Sequence, residues 1–208
     1  MPVDRRLRLR QAAWMIRIIS GRYKSRMLES PVGEDVTRPY AARVKESVFN
    51  LLRGWFEDAN VLDLFSGVGT IGLECVSRGA ASVLMVEQDR RIVEYLRHNI
   101  SELGCSDQAE AMHADALAPT CLSRAPAPVD VVFMDPPYAM MSKEAQRVRV
   151  LRQASACRSV MKTGGFLVLR SPTDQFETAL EGFDGPEVHQ YASDMFVLLY
   201  CASGEDTC

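Results

Sequence analysis

A glycine-rich loop is the first stretch of the sequence whose residue types and spacing could do chemistry. Within VLDLFSGVGTIGLE, residues 61–74, the letters GVGTIG match the dinucleotide-binding pattern G-x-G-x-x-G. Gly67 and Gly69 would let a ligand approach the backbone closely. Glu87 follows twenty residues after Gly67 and could accept hydrogen bonds from the hydroxyls of a ribose. The pattern predicts a ligand that contains adenosine, although the same glycines would also suit a tight strand-to-helix turn.

Asp63 indicates which adenosine-containing ligand the loop would hold. NAD and S-adenosylmethionine (SAM) share the adenosine ribose, so the glycines and Glu87 do not separate them. A carboxylate at the end of the preceding strand can act on the cationic methionine end of SAM, but it would meet the pyrophosphate of NAD with like charge. The sequence therefore favours SAM. Six residues of this region are predicted to contact it: Asp63, Phe65, Gly67, Gly69, Glu87 and Gln88.

A second motif, DPPY at residues 135–138, follows the fourth predicted strand of the sheet described below. Its two prolines fix φ and remove two N–H donors, so the backbone presents carbonyl acceptors in an extended shape. The Asp135 carboxylate and a prolyl carbonyl could accept both hydrogen bonds of an exocyclic amine on a nucleobase and orient its nitrogen toward a methyl donor. Tyr138 offers a face for an unstacked base. We predict a catalytic site formed by Asp135, Pro136, Pro137 and Tyr138; a plain turn with a buried tyrosine is the alternative.

Other methylation chemistries lack the residues that they need. C5-cytosine methylation needs a cysteine nucleophile, usually in a Pro-Cys pair, and the sequence contains no such pair. Ribose O-methylation commonly uses a positioned lysine, but beyond residue 53 the only lysines are Lys143 and Lys162, neither at a predicted strand end of the cleft. The three histidines show no metal-binding spacing, so we expect no metal.

The elements that must position these motifs form an α/β pattern. Short apolar runs predict strands over residues 61–65, 82–86, 109–114, 129–135 and 165–170. Helical segments lie between them at about 70–78, 89–103 and 143–162. This alternation predicts a doubly wound, mostly parallel sheet. The runs EVHQYA and MFVLLYC are separated only by SD, so they should pair as an antiparallel hairpin at its end, the outline of class I SAM methyltransferases.

The N-terminal quarter has a different character. Residues 1–53 carry twelve Lys and Arg against five Asp and Glu, a net charge of +7; since the whole chain carries −3, the remainder carries −10. This split predicts a basic segment that meets a polyanion, or else only a solvated basic surface. Strand-like runs at 16–19 and 27–31 predict a hairpin. A helix should follow, with an apolar stripe of Val44, Val48, Leu51, Leu52 and Trp55, and with Arg43, Lys45 and Arg53 off that stripe.

Composition sets the broad class. A chain of 208 residues that is 47% hydrophobic is long enough for one globular domain with a sizeable core. No run of eighteen apolar residues and no secretory signal is present, so we expect a cytoplasmic protein that does not enter a membrane. The six cysteines show no C-x-x-C pair, which indicates reduced thiols.

Together these motifs resemble the RsmD family of bacterial 16S rRNA guanine-N2-methyltransferases. The resemblance rests on DLFSGVGTIGLE, DPPY, IRIISGRYKSRMLESP and TRPYAARVKESVFNLL, and it covers residues 15–201. It implies a seven-stranded Rossmann-like fold, SAM as cofactor, and a guanine of 16S rRNA, presented by the assembled 30S subunit, as substrate. It also implies that Asp115 and Ala116 lie at the adenine of SAM. Residues 1–14 lie outside the resemblance, since the usual start of the family corresponds to Met15.

The resemblance and the charge split together predict an RNA-binding arm and a division of the chain. We expect a basic, disordered extension at 1–14, an RNA-binding hairpin and helix at 15–58, and a methyltransferase domain at 59–208, in a monomer. Guanine rests on the resemblance alone, because DPPY suits adenine N6 equally. An NAD oxidoreductase and an inactive RNA-binding protein remain alternatives. The residues predicted to contact phosphates are Arg22, Lys24, Arg26, Arg38, Arg43 and Lys45.

Overall fold

A seven-stranded sheet forms the centre of the molecule. The computed structural model describes residues 13–31 and 42–204. A two-stranded hairpin comes first, with β1 (Ala13–Arg17) and β2 (Met27–Pro31). The strands of the central sheet then follow in chain order: β3 (Asn60–Leu64), β4 (Ser82–Glu87), β5 (Ala109–His113), β6 (Val129–Met134), β7 (Met161–Ser171), β8 (Phe183–Ala192) and β9 (Met195–Ala202).

The strand order is β5-β4-β3-β6-β7-β9-β8. Strands β3 to β7 run parallel to one another, and β9 pairs antiparallel with both β7 and β8. The order reverses between β3 and β6, and ligands of doubly wound sheets bind at such a switch point. The predicted parallel sheet with a C-terminal hairpin is confirmed, and with it the class I methyltransferase outline.

Helices cover both faces of this sheet. The described helices are α1 (Ala42–Leu51), α2 (Gly72–Ser77), α3 (Arg90–Leu103), α4 (Thr120–Ser123), α5 (Tyr138–Ser142) and α6 (Glu144–Cys157), the last extended by a 3₁₀ turn over Arg158–Val160. Asp89 caps α3 by accepting from the N–H groups of Arg91 and Ile92. One core lies between the sheet and the side that carries α1 to α3, and a second core lies on the side that carries α4 to α6.

The N-terminal hairpin and α1 are part of the first core. Ile18 and Leu28 are fully buried in it, and Val48 and Phe49 of α1 pack beside them. Asn99 of α3 ties the hairpin down through polar contacts, because its Oδ1 accepts from Glu29 N at 2.8 Å and its Nδ2 donates to Glu29 O at 3.0 Å. The basic segment therefore packs directly on the methyltransferase fold.

Some details of the predicted elements were wrong. The helix predicted to run to about residue 162 ends at Cys157, and β7 begins at Met161 rather than residue 165. The first strand begins at Ala13 rather than residue 16, and it therefore crosses the predicted boundary at residue 15. The helix α1 ends at Leu51, before the end of its predicted stripe. Leu51 and Trp55 are exposed, while Phe49 and Phe56 are buried. The buried face of α1 runs through Val48 and Phe49, so Leu51 lies off it, and Trp55 follows the end of the helix.

Candidate active site

The carboxyl ends of four parallel strands bring the predicted motifs together. The glycine loop follows β3, Glu87 ends β4, Asp115 follows β5, and DPPY follows β6. Since parallel strands end at the same edge of a sheet, residues far apart in sequence meet there. The structure therefore gathers the predicted cofactor-binding and catalytic residues at one edge, around the switch point between β3 and β6.

The glycine loop turns sharply into α2. Phe65, Gly67 and Gly69 all have positive φ angles, of 65°, 57° and 88°. This left-handed conformation suits glycine, and at Phe65 it is strained for a side-chain-bearing residue. A Cβ atom on Gly69 would lie 2.5 Å from Leu96 Cδ1, whereas one on Gly67 would meet nothing within 4 Å. Gly69 is therefore favoured chiefly by its positive φ, and the backbone at Gly67 borders open space where a ligand can approach.

Asp63 lies beneath this loop and is only 1% exposed. Its Oδ2 accepts a hydrogen bond from Gly72 N at 2.9 Å, which fixes the start of α2. Burial, with smaller contributions from the nearby Asp135 and Glu87, raises the pKa of its carboxyl to about 8, although the hydrogen bond from Gly72 N opposes the rise. The geometry assigns Asp63 to holding the loop, so the charge argument that favoured SAM over NAD loses its basis. Its predicted contact with the cofactor stays a prediction.

Glu87 joins the glycine loop to the loop after β4. One carboxylate oxygen accepts from Gly67 N at 3.0 Å and the other from Asp89 N at 2.8 Å. The side chain is half-buried and stands beside the open position at Gly67. Gln88 is exposed next to it, and its carbonyl oxygen lies 3.0 Å from His113 Nε2. Glu87 is thus partly exposed and held in a fixed orientation by two backbone N–H groups, as a ribose acceptor requires.

Asp115 and Ala116 follow β5 at the far side of the same cleft. Asp115 is exposed, and its Oδ1 accepts from Leu117 N at 2.9 Å. Arg149 of α6 lies 3.9 Å from the other carboxylate oxygen. Ala116 is buried against the second core. This arrangement leaves the Asp115 carboxylate accessible to a ligand, whereas Ala116 is 3% exposed and its contact with the cofactor stays a prediction.

The DPPY motif leads from β6 directly into α5. Asp135 N donates to Leu64 O at the end of β3, so the motif stands beside the start of the glycine loop. The Asp135 carboxylate forms an ion pair with Arg170 near the end of β7, whose side chain is 2% exposed. Burial raises the pKa of Asp135 and Arg170 lowers it, and the balance of the two effects is a pKa of about 6. Sequence reasoning missed Arg170, although a lone arginine ending the apolar run GFLVLR was a signal.

The predicted RNA-contacting residues divide into three groups. Arg22, Lys24 and Arg26 are exposed on the turn of the hairpin, and Arg43 is exposed on α1. Lys45 is a correction: it is 2% exposed, and its Nζ lies 3.2 Å from a Glu74 carboxylate oxygen. It is not available to RNA, because the helix turns it toward α2.

Arg38 lies outside the described residues. Within the parts of the chain that are described, no three His, Cys, Asp or Glu side chains gather into a metal-binding group. In the same parts, none of the helices is long and apolar enough to cross a membrane.

The seven-stranded fold, with these motifs at the carboxyl ends of its parallel strands, is that of the class I SAM-dependent methyltransferases. The chain belongs to the family described as Conserved hypothetical protein 95, whose model matches residues 16–198. This is the family of the RsmD methyltransferases, so the resemblance found in the sequence is confirmed.

Relatives and solved structures agree with this assignment. YlbH of Bacillus subtilis, a candidate rRNA methyltransferase, is 30% identical over 74% of this chain and 80% of that protein. Ribosomal RNA small subunit methyltransferase D of Escherichia coli is 37% identical over 59% of this chain and 60% of its own length. The solved structure of yhhF from Escherichia coli has a TM-score of 0.76 at 26% identity, over 91% of this chain and 99% of that one.

Proposed function

We propose that this protein transfers a methyl group from SAM to the exocyclic N2 amine of a guanine in 16S rRNA. SAM-dependent rRNA methylation follows from the family, and the target atom is the finer part of the proposal. The observation that carries transfer to an exocyclic amine is the Asp135 carboxylate, held by Arg170 beside the prolines of DPPY and next to the glycine loop, while the choice of guanine rests on the resemblance to the RsmD family. An ionised carboxylate accepts hydrogen bonds but cannot donate them, as an amine substrate requires.

The residues of the edge fit SAM. The backbone at Gly67 borders open space, and the Glu87 carboxylate beside it is aligned by Gly67 N and Asp89 N. We assign the ribose to Glu87, the adenine to Asp115 and Ala116, and the methionine end to the loop over Asp63. When bound, SAM supplies a methyl group on a sulfonium that is already a good leaving group.

The protein contributes orientation to the transfer. Asp135 and a prolyl carbonyl accept the two N–H groups of the target amine, which directs its lone pair at the methyl group. That lone pair forms the new N–C bond as the C–S bond breaks and sulfur keeps the bonding electrons. The extra proton on nitrogen then leaves, and we assign Asp135 as its first acceptor. Proximity and orientation of this kind contribute up to about 7 to 11 kcal/mol.

The substrate must present its base outside a helix. Unstacking a base costs a few kcal/mol, which stacking on Tyr138 and phosphate contacts by the exposed Arg22, Lys24 and Arg43 could offset. We propose the assembled 30S subunit as the substrate and a monomer as the active form. A ribosomal substrate implies an enzyme that works in the cytoplasm.

A methylation assay with nucleoside analysis tests the proposal. Labelled SAM is incubated with the protein and with either naked 16S rRNA or 30S subunits from cells that lack the enzyme. We expect N2-methylguanosine at one site, and no label with Asp135→Ala, which should still bind SAM. N6-methyladenosine would overturn the choice of base. Labelling by Asp135→Ala at the normal rate would mean that DPPY is only a turn.

A further inference from the structure

A buried arginine stands directly behind the target-base motif. Arg170 lies on β7, which pairs in parallel with β6, and the register sets Leu169 opposite Met134. Arg170 is therefore the neighbour of Asp135 across the two strands. Its Nε donates to Asp135 Oδ1, and its Cζ lies 5.2 Å from the centroid of the Tyr138 ring. One side chain thus touches both the predicted acceptor and the predicted stacking face of DPPY.

We propose that Arg170 is the positioning residue that keeps the Asp135 carboxylate ionised and oriented toward the target amine. The proposal rests on the proposed function, because it assigns Asp135 to that amine. Arg170 itself faces the back of the motif and does not touch the substrate in this assignment. Its guanidinium is planar and permanently charged, so it can align a carboxylate and lie against an aromatic ring at the same time.

The surroundings of Asp135 explain why such a cation is needed. Burial opposes its negative charge and raises its pKa, whereas Arg170 lowers that pKa, and the balance of the two effects is a value of about 6. Asp63 faces Asp135 from β3, and Glu87 stands behind Asp63 on β4; the pKa of Asp63 is raised to about 8, so Asp63 is uncharged at neutral pH. Without the guanidinium, the pKa would rise further and the carboxyl would be protonated at neutral pH.

Protonation would reverse the hydrogen bonding that transfer requires. A carboxylic acid presents an O–H donor toward an amine that itself offers two N–H donors. The amine would then lose one acceptor, and its lone pair would no longer be directed at the methyl group. The rate of methyl transfer should therefore follow the ionised fraction of Asp135, and Arg170 should set the pH at which that fraction decreases.

The test is the pH dependence of single-turnover methyl transfer in Arg170→Gln and Arg170→Lys. Glutamine keeps a hydrogen-bond donor but removes the charge, while lysine keeps the charge and removes the planar group. With saturating SAM and 30S subunits, we expect the acidic limb of the wild type near pH 6. Arg170→Gln should move the limb to higher pH by about one unit or more, so that its rate falls about fivefold or more at pH 6 and recovers at high pH.

Two controls separate positioning from a merely structural role. Arg170→Lys should keep its limb near that of the wild type, and both variants should keep the wild-type Kd for SAM in calorimetry. Asp135→Asn should have no acidic limb, because an amide does not titrate; this measurement does not depend on whether Arg170→Gln folds. A limb that persists in Asp135→Asn overturns the proposal.

The remaining outcomes distinguish a failure of the Arg170 proposal from a failure of the proposed function. If Arg170→Gln loses the same factor at every pH, Arg170 only supports the fold and the proposal is wrong. If the wild-type protein transfers no methyl group to either RNA substrate, the proposed function fails instead. In that case, carbon-13 NMR of the Asp135 carboxyl in wild type and Arg170→Gln still tests the pairing: an equal pKa in both would refute it.

Discussion

At the scale of single residues, three carboxylates at one edge of the sheet have different environments. Asp63 is sealed under the glycine loop, Glu87 is half-buried and aligned by two N–H groups, and Asp135 is paired with a buried arginine. Burial raises the pKa of Asp63 to about 8 and that of Asp135 only to about 6, because Asp135 has the cation. Environment therefore separates a loop-holding group from a group that works ionised.

Glu87→Ala should weaken SAM binding by about tenfold or more. A hydrogen bond to a charged acceptor contributes roughly 1.5 to 3 kcal/mol, and the alanine also frees the N–H groups of the two loops. Glu87→Gln, which keeps one acceptor oxygen and the side-chain shape, should lose less. Calorimetric titration with SAM measures both variants. An unchanged Kd in Glu87→Ala would remove Glu87 from the cofactor site.

Asp63→Asn should flatten the pH dependence of stability. The folded state raises the pKa of Asp63 from 3.8 to about 8. Its protonated form therefore stabilises the fold fully below about pH 4, and this contribution is lost as the pH rises toward 8. Asparagine can still accept from Gly72 N but does not titrate. Urea unfolding at a series of pH values should show the variant gaining stability over the wild type as the pH rises.

The matched control for this measurement is Asp184→Asn, which changes an exposed aspartate on β8. It should reproduce the wild-type slope of unfolding free energy against pH. If Asp63→Asn also follows that slope between pH 4 and 8, the carboxyl of Asp63 is ionised in the folded state and the assigned role is wrong.

At the scale of elements, a buried cluster of charges joins the N-terminal segment to the sheet. Glu74 of α2 is completely buried, and its carboxylate lies 3.2 Å from Lys45 Nζ and 3.1 Å from Arg78 Nε. The same carboxylate accepts from the backbone N–H groups of Ile19 and Ser20 at 2.8 and 3.0 Å. One side chain of α2 thus fixes both α1 and the loop after β1.

Lys45→Met should destabilise the protein by about 3 kcal/mol. Removing one partner of a buried ion pair leaves the other charge without full compensation, and Glu74 retains only Arg78 as a cationic partner among the described residues. Arg43→Met, on the same helix but exposed, should change the unfolding free energy by less than about 0.5 kcal/mol. Urea denaturation compares the two variants. Equal effects would contradict the assignment of Lys45 to the interior.

At the scale of the whole molecule, positive charge is concentrated on the N-terminal segment while the rest of the chain is acidic. The exposed basic residues on the hairpin turn are Arg22, Lys24 and Arg26, although Arg26 also donates to Glu102 O at 2.7 Å. An acidic body repels phosphate, so the basic segment would set where and how an RNA approaches the cleft. Electrostatic attraction would therefore affect the orientation of the bound RNA as well as its affinity.

Reversing Arg22 and Lys24 to glutamate should weaken 30S binding and reduce its salt dependence. Each phosphate contact contributes a slope of roughly 0.7 to 0.9 in log affinity against log salt, so losing two should reduce the slope by about 1.4 to 1.8. Binding is measured between about 50 and 200 mM salt.

The double variant Arg124→Glu with Lys162→Glu makes the same change in net charge at the opposite edge of the sheet and serves as the control. Arg124 precedes β6, and Lys162 lies near the start of β7. If the two double variants bind with the same affinity and slope, the hairpin turn is an ordinary solvated surface.

The sequence by itself determined the sheet and the positions of the glycine loop and the DPPY motif at one edge of it. Strand runs such as VLDLF and VDVVFMD are visible because buried parallel strands are apolar along their whole length. The motifs are contiguous, and parallel strands deliver their carboxyl ends to one edge, so the meeting of Gly67, Glu87 and Asp135 could be predicted without coordinates.

Only the tertiary structure decided which charged groups face each other. Asp135 and Arg170 are thirty-five residues apart and meet because β7 lies next to β6 in a particular register. Lys45 was expected at the surface, and it is buried because α1 packs against α2 and Glu74 compensates its charge. A sequence pattern specifies local conformation, whereas the partner of a buried charge depends on element packing, which is set by the whole chain.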